Sequence, residues 1–195
     1  MSVKVLALGG SGGMGRFAVS TCMDFDNVEE VIVADINTDA AIAFAYSMND
    51  KVSGIGLDVT NIDSLKMQME KVDVVINTVG PFYKYGPPVL ESAIDSSCHY
   101  LDINDDWEPT LEMLKLHHKA ASKSVTAILG MGASPGLTNM LGAAAIQELD
   151  EVKTLYTGWS MDGAAAEEES SQSGVNAAMI PVSYTHLTLP TSQLV

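Results

Sequence analysis

Six residues near the N-terminus, Gly10-Ser11-Gly12-Gly13-Met14-Gly15, constrain this chain more than any other feature, because of what stands on either side of them. Before them, Val3-Lys4-Val5-Leu6-Ala7-Leu8 is a short apolar run of β type. After them, Met14, Phe17, Ala18, Thr21 and Cys22 recur at helical spacing. A Gly-x-Gly-x-x-Gly pattern is weak in isolation. Between a strand and a helix it makes a turn where a phosphate can approach backbone N–H groups at the positive end of a helix. The glycines have different duties: Gly10 permits the tight turn, Gly12 leaves room for a pyrophosphate, and Gly15 lets the helix pack closely on the strand. The other common phosphate loop, that of the NTPases, would carry Lys and then Ser or Thr after its last glycine. Here Arg16-Phe17 follow.

Val31-Ile32-Val33-Ala34 is a second strand ending at Asp35, 20 residues beyond Gly15. A carboxylate there accepts hydrogen bonds from the ribose hydroxyls of an adenosine and repels a 2′-phosphate. No lysine or arginine follows in Ile36-Asn37-Thr38, so the cofactor reads as NAD. NADP stays open because Arg16 could turn toward a phosphate. The alternative role for Asp35 is to cap a helix beginning near Thr38. Asp58-Val59, after a third strand over 54–58, is placed to touch the adenine edge, although Asp58 could equally cap the helix that follows.

The alternation continues through a helix marked by Ile62, Leu65 and Met69, and then a strand over Val72 to Asn77. Pro87-Pro88 suits the first turn of a helix running to about Ser96. Tyr100 to Ile103 makes a fifth strand, Trp107 to Ser122 a helix capped by Asp105 or Asp106, and Val125 to Leu129 a sixth strand. Parallel neighbours need helical crossovers, so six such strands imply an α/β protein with a doubly wound parallel sheet. Its ligand crevice should lie where the strand order reverses, between the first and fourth strands. The fourth strand delivers Asn77-Thr78-Val79-Gly80-Pro81-Phe82-Tyr83-Lys84-Tyr85-Gly86-Pro87 to that crevice. Residues 1–150 read as this domain and 151–181 as the incomplete start of a second, α+β domain opening with a strand over 152–159. Val182 to Thr191 resembles a translated transposon-end sequencing adapter, so residues 182–195 read as a non-native tail.

At 47% hydrophobic and 18% charged residues the composition is that of a globular chain. The net charge of -15, with no basic cluster, argues against nucleic acid and membrane surfaces as partners. Cys22 and Cys98 form no CxxC pair and give neither a disulfide framework nor zinc spacing. With no signal-peptide pattern at the N-terminus and no apolar run of spanning length, the expected location is the cytoplasm.

Four motifs occur in order: Gly9 to Gly15; Gly80-Pro81-Phe82 followed by Tyr85-Gly86; His99-Tyr100-Leu101-Asp102; and Gly132-Ala133-Ser134-Pro135-Gly136-Leu137-Thr138-Asn139. With these the chain resembles, over about residues 3 to 181, the saccharopine dehydrogenase family in its nicotinamide-binding (Rossmann) domain. The resemblance implies a two-domain enzyme that makes or breaks a secondary amine through an imine, with hydride passing between an amino-acid-like small-molecule substrate and NAD(P). It places Thr78 to Phe82 at the nicotinamide. By position at strand ends Tyr83, Tyr85 and Asp102 are the candidates for proton transfer, with Cys98 and His99 close by in sequence; the alternatives are that Asp102 caps the turn before Trp107 and that the tyrosines pack against the cofactor or the domain seam. The full-length parent is expected to be a homo-oligomer and this piece of it inactive. No metal is expected: Asp102, Asp105, Asp106 and Glu108 cluster where helix capping explains them, and His117-His118 point about 100° apart on a helix. The alternative function is a non-catalytic NAD(P) sensor or scaffold. A short-chain reductase is disfavoured because no Tyr-x-x-x-Lys pair is present.

Overall fold

In the computed structural model, which describes residues 2–157, the side chains of strand β1 (Val3–Leu8) alternate between two hydrophobic cores. Leu6 and Leu8 enter one, Val5 and Ala7 the other. A strand apolar on both faces belongs inside a sheet covered on both sides, which is why its sequence reads as an unbroken apolar run. β2 (Val28–Asp35) repeats the division, with Ala34 in the first core and Val31 and Val33 in the second. With β3 (Val52–Gly56), β4 (Val74–Asn77), β5 (His99–Asp102) and β6 (Ala127–Ile128) they form one parallel sheet in the order β3-β2-β1-β4-β5-β6. The chain therefore builds outward from β1 in one direction and then in the other. The reversal falls between β1 and β4, where Leu8 is paired with Ala34 on one side and Asn77 on the other.

Helices α1 (Gly13–Cys22) and α2 (Thr38–Ser47) cover one face through Val19, Cys22, Ala41 and Ala45. The other face is covered by α3 (Ile62–Met69), α4 (Phe82–Asp95), α5 (Trp107–Leu114) and α6 (His117–Ser122), which bury Leu65, Met69, Leu90, Ile94, Met113 and Ala120. Helices as short as α3 are marginal alone, so packing on the sheet supplies most of their stability.

Several elements differ from expectation. α4 begins at Phe82 rather than at the proline pair, which places Pro87 and Pro88 inside it. Pro81, at φ -77 and ψ 140, forms the helix entry instead. A proline in a helix interior costs about 3 kcal/mol. Full burial of Val89, Leu90 and Ile94 just beyond, at about 1.5–3 kcal/mol each, offsets that. The single helix expected over 107–122 is broken at Lys115 and Leu116, where Leu116 turns inward against the first core at ψ 0. β6 has two residues rather than five, because Val125 is turned into the core ahead of it.

The chain divides into a compact unit Met1–Gly136 and a second beginning at Leu137, ahead of the division expected near residue 150. In the second unit α7 (Thr138–Gln147) is followed by Leu155, whose side chain lies against Gly142. No strand forms over 152–157. The rest of the 151–181 segment, and the tail 182–195, lie outside the described residues. Among the described residues no helix is long and apolar enough to cross a membrane.

Candidate functional site

The glycine loop turns at the carboxyl end of β1, and its glycines are needed for reasons partly other than those the pattern suggests. The left-handed residue is Gly9, at φ 69, which hands the chain from β1 into the loop. Gly10 is required by space: a Cβ there would lie 2.8 Å from the Ala7 carbonyl oxygen and 3.1 Å from Val33. Gly15 is required by contact between the helix and the turn that follows β1, since its Cβ would run into the Gly9 carbonyl oxygen and stand 2.6 Å from Gly10 Cα. Gly12 directly precedes α1 and has no side chain with which to cap it, unlike Asn37 and Asn61, whose side chains cap α2 and α3. The first-turn N–H groups of α1 are thereby left to a ligand, at the end of the helix where partial positive charge gathers. Gly13 and Met14 stand exposed beside them.

Ser11 is buried, and its hydroxyl donates to Asp35 Oδ2 at 2.7 Å, tying the loop to the end of β2. Asp35 Oδ1 accepts from the Asn37 N–H at 3.1 Å. Asn37, not Asp35, caps α2, so the helix-capping alternative for Asp35 does not describe the structure. Arg16 is half-buried beside this pair. Its Nε donates to the Ser11 carbonyl oxygen at 2.8 Å, and its guanidinium lies over the Phe44 ring, 5.2 Å from the centroid. Asp58 stands exposed after β3, and its Oδ1 accepts from the Thr60 N–H and hydroxyl, which hold its pKa below the usual carboxylate range. It does not cap α3, because Asn61 does. Val59 is half-buried next to it.

Across the reversal, Thr78 donates its hydroxyl to the Leu8 carbonyl at 2.8 Å, and Gly9 is packed against it. The β4–α4 connection and the glycine loop are therefore in contact. Val79 is half-buried, Gly80 and Pro81 are exposed with a cis peptide between them, and Phe82 is buried at the start of α4. Tyr83 is 67% exposed in the first turn of α4. The Asp106 carboxylate faces its backbone N–H, although burial first and the Asp105 charge second raise the Asp106 pKa.

Asp102, at the end of β5, is enclosed and engaged by backbone groups. It is 1% exposed, and its Oδ1 accepts from the Gly130 N–H at 2.7 Å and the Asn104 N–H at 3.1 Å. Burial raises its pKa, against the opposing effect of those two N–H groups. Its Oδ2 is buried without a hydrogen-bond partner. The Tyr100 hydroxyl faces it within electrostatic reach and itself accepts from Asn77 Nδ2 at 3.0 Å. Asn77 Oδ1 in turn accepts from the Val79 N–H. A buried polar chain thus runs beneath the ends of β4 and β5, from the 78–82 loop to the loop that follows β6.

Asn77 was not singled out by the sequence, although an asparagine closing the apolar run Val74-Val75-Ile76 was the available signal. The Gly130 loop is closed by Gly136, whose N–H donates to the Gly130 carbonyl, through a π-type turn over Ala133–Leu137. Cys98 is buried, and its thiol pKa is pushed up to about 12, chiefly by burial. His99 Nδ1 accepts from the Thr126 N–H and so holds β5 to the approach of β6. Among the described residues no group of three or more His, Cys, Asp or Glu side chains is arranged to hold a metal ion.

Comparison with known proteins agrees with this geometry. Residues 5–128 match the family model for the saccharopine dehydrogenase NADP binding domain. A probable mitochondrial saccharopine dehydrogenase-like oxidoreductase of Arabidopsis thaliana is 26% identical over 137 residues, 64% of this chain and 30% of that protein. The Bos taurus saccharopine dehydrogenase-like oxidoreductase is 35% identical over 88 residues, covering 44% of this chain and 20% of that protein. Among solved structures, the apo saccharopine dehydrogenase (L-Glu forming) of Saccharomyces cerevisiae superposes with a TM-score of 0.66 at 25% identity, covering 75% of this chain and 31% of that one. The chain spans less than a third of the length of each of these relatives.

Proposed function

The chain belongs to the saccharopine dehydrogenase family through its NADP-binding domain, and from that premise we propose that it is the cofactor-binding part of an oxidoreductase acting on a secondary amine or imine of an amino-acid-like substrate. One observation carries this reading. The uncapped first turn of α1, the Ser11–Asp35 pair and the Thr78–Phe82 loop converge at the β1/β4 reversal, where a parallel sheet of this kind holds its ligand. When bound, the nicotinamide dinucleotide supplies hydride transfer. The chain's own residues would do the rest: loop amides of Gly12 to Gly15 for the pyrophosphate, Asp35 for the adenosine ribose, Asp58 and Val59 for the adenine edge, and Thr78 to Phe82 along the nicotinamide.

Between the two cofactors we favour NADP over the NAD read from Asp35 alone. The family description supports it, and so does Arg16, held between the Ser11 carbonyl and Phe44 close to the ribose position. The Asp35 carboxylate already accepts from Ser11 and Asn37, which softens its repulsion of a nearby phosphate. For the proton, exposed Tyr83 is the group in position. Asp102 is assigned to holding the Gly130 loop, because a 1% exposed carboxylate bonded to two backbone N–H groups does not reach a substrate. Buried free Cys22 and Cys98 suit a reducing compartment, for which we propose the cytoplasm.

Titration of the purified chain with NADPH and NADH, followed by nicotinamide fluorescence, tests the reading. Saturable binding of NADPH is expected. Arg16→Ala should weaken NADPH about tenfold, the loss of one charge-assisted contact, and leave NADH nearly unchanged. Failure to bind either nucleotide would remove the cofactor assignment altogether.

A further inference from the structure

This chain carries 10 basic residues against 25 acidic ones. Two of the ten stand in the first turns of helices that start at the β1/β4 reversal: Arg16 in α1 and Lys84 in α4. Five of the others are engaged elsewhere. Lys4 and Lys51 lie where β1 and β3 begin, at the opposite end of the sheet. Lys66 and Lys119 bind Asp95, and Lys115 binds Glu112.

Lys84 is placed against the helix dipole, since a cation in the first turn of a helix is unfavourable by about 0.3–1 kcal/mol. Among the described residues it makes no ion pair that would offset this. Its ammonium instead lies over the ring of its neighbour Tyr85, 4.9 Å from the centroid. The Tyr85 hydroxyl is the main influence favouring its charged form, and Asp58, which follows β3, adds a weaker one. Because α4 starts at the reversal, Lys84 stands beside the carboxyl ends of the central strands, on the side of the sheet that α4 covers. A dinucleotide reaching from Asp35 and Asp58 to Thr78–Phe82 must pass the start of α4.

We propose that Lys84 is a cofactor-binding residue that contacts the pyrophosphate from the α4 side of the crevice, opposite the backbone amides of α1. The inference rests on the crevice being the nucleotide site. It explains why a lysine is placed where helix electrostatics disfavour it. It also gives a strongly acidic molecule a local cation facing each side of an anionic ligand. The pyrophosphate is common to both nucleotides, so the contact strengthens NADH and NADPH alike, unlike the contact assigned to Arg16.

The test is titration of wild-type chain, Lys84→Gln, Lys84→Glu and Lys84→Arg with NADH and with NADPH, alongside thermal melts of each. Loss of a partly exposed charge-assisted contact should weaken both nucleotides about three- to tenfold in Lys84→Gln. The loss should be larger in Lys84→Glu and should narrow in 0.5 M NaCl, and Lys84→Arg should retain most of the affinity. The melts separate this from damage to the fold: Lys84→Glu suits the dipole and should melt no lower than wild type while binding worse. Unchanged affinity for both nucleotides, or a loss confined to NADPH, overturns the proposal while leaving the crevice assignment standing. A wild-type chain that binds neither nucleotide overturns both.

Discussion

Replacing Gly15 by alanine isolates a close backbone approach between α1 and the glycine loop. A Cβ at this position would run into the Gly9 carbonyl oxygen and stand 2.6 Å from Gly10 Cα and 2.8 Å from Gly9 C. All three atoms are backbone, so no side chain can rotate away. Either α1 or the loop must shift by several tenths of an ångström or more. Overpacking of this kind costs about 1–3 kcal/mol, and the helix-propensity gain of alanine over glycine, at most about 1 kcal/mol, offsets part of it. The expected net loss is about 1–2 kcal/mol, a fall in Tm of roughly 3–8 °C for a chain of this size. Gly13→Ala is the matched control: it lies in the same turn, and its Cβ would meet nothing within 4 Å. It should melt at or slightly above the wild-type temperature. Circular dichroism melts of the three proteins make the comparison, and NADPH titration adds a second readout. Displacement of the loop should weaken binding in Gly15→Ala at least tenfold, because hydrogen bonds from its amides tolerate only a few tenths of an ångström. If Gly15→Ala melts within about 1 °C of Gly13→Ala and binds as wild type does, the close packing of α1 on the glycine loop is not what requires that glycine.

Asp95 has its carboxyl held down to about 2 by Lys119 first and Lys66 second, so these pairs contribute stability above the ordinary carboxylate range and lose it as pH falls toward 2. Asp95→Asn should therefore cost about 1 kcal/mol in urea denaturation at pH 7, a figure discounted for partial exposure. The gap from wild type should close on acidification and shrink in 0.5 M NaCl; a gap independent of pH would remove the ion pairs as its cause. Asp102 has the opposite sign. Its folded pKa is raised, so the cost of its buried charge is present at neutral pH and relieved as pH falls through that pKa. Asp102→Asn keeps an oxygen for the Gly130 and Asn104 N–H groups and should be no less stable than wild type at pH 7. Asp102→Ala strands two buried donors and should cost about 2–4 kcal/mol. Equal costs for the two variants, measured by denaturation, would show that the oxygen does not hold the loop.

The elements whose periodicity reflects a surface buried on one or both faces were legible from the sequence. β1 and β2 read as apolar runs because they lie between two cores, and α1 showed its stripe because one side alone is covered. The position of the crevice followed, since parallel strands joined by helices fix where their order reverses. Local patterns failed where a distant contact decides. The proline pair suggested a helix start, but burial of Val89, Leu90 and Ile94 holds them inside a helix that begins at Phe82. The contact between Asp102 Oδ1 and the Gly130 N–H, 28 residues away in sequence, was likewise not readable from local spacing.

The sequence alone thus determined the sheet, the glycine loop, the acidic residue after β2 and the family, because each rests on residue types at short, regular spacing. Only the tertiary structure decided which glycine turns the chain, that Ser11 and Arg16 are built around Asp35, and that Asn77, Tyr100 and Asp102 form one buried chain. Those arrangements depend on groups brought together from separate elements of the fold, whose distances no local pattern encodes.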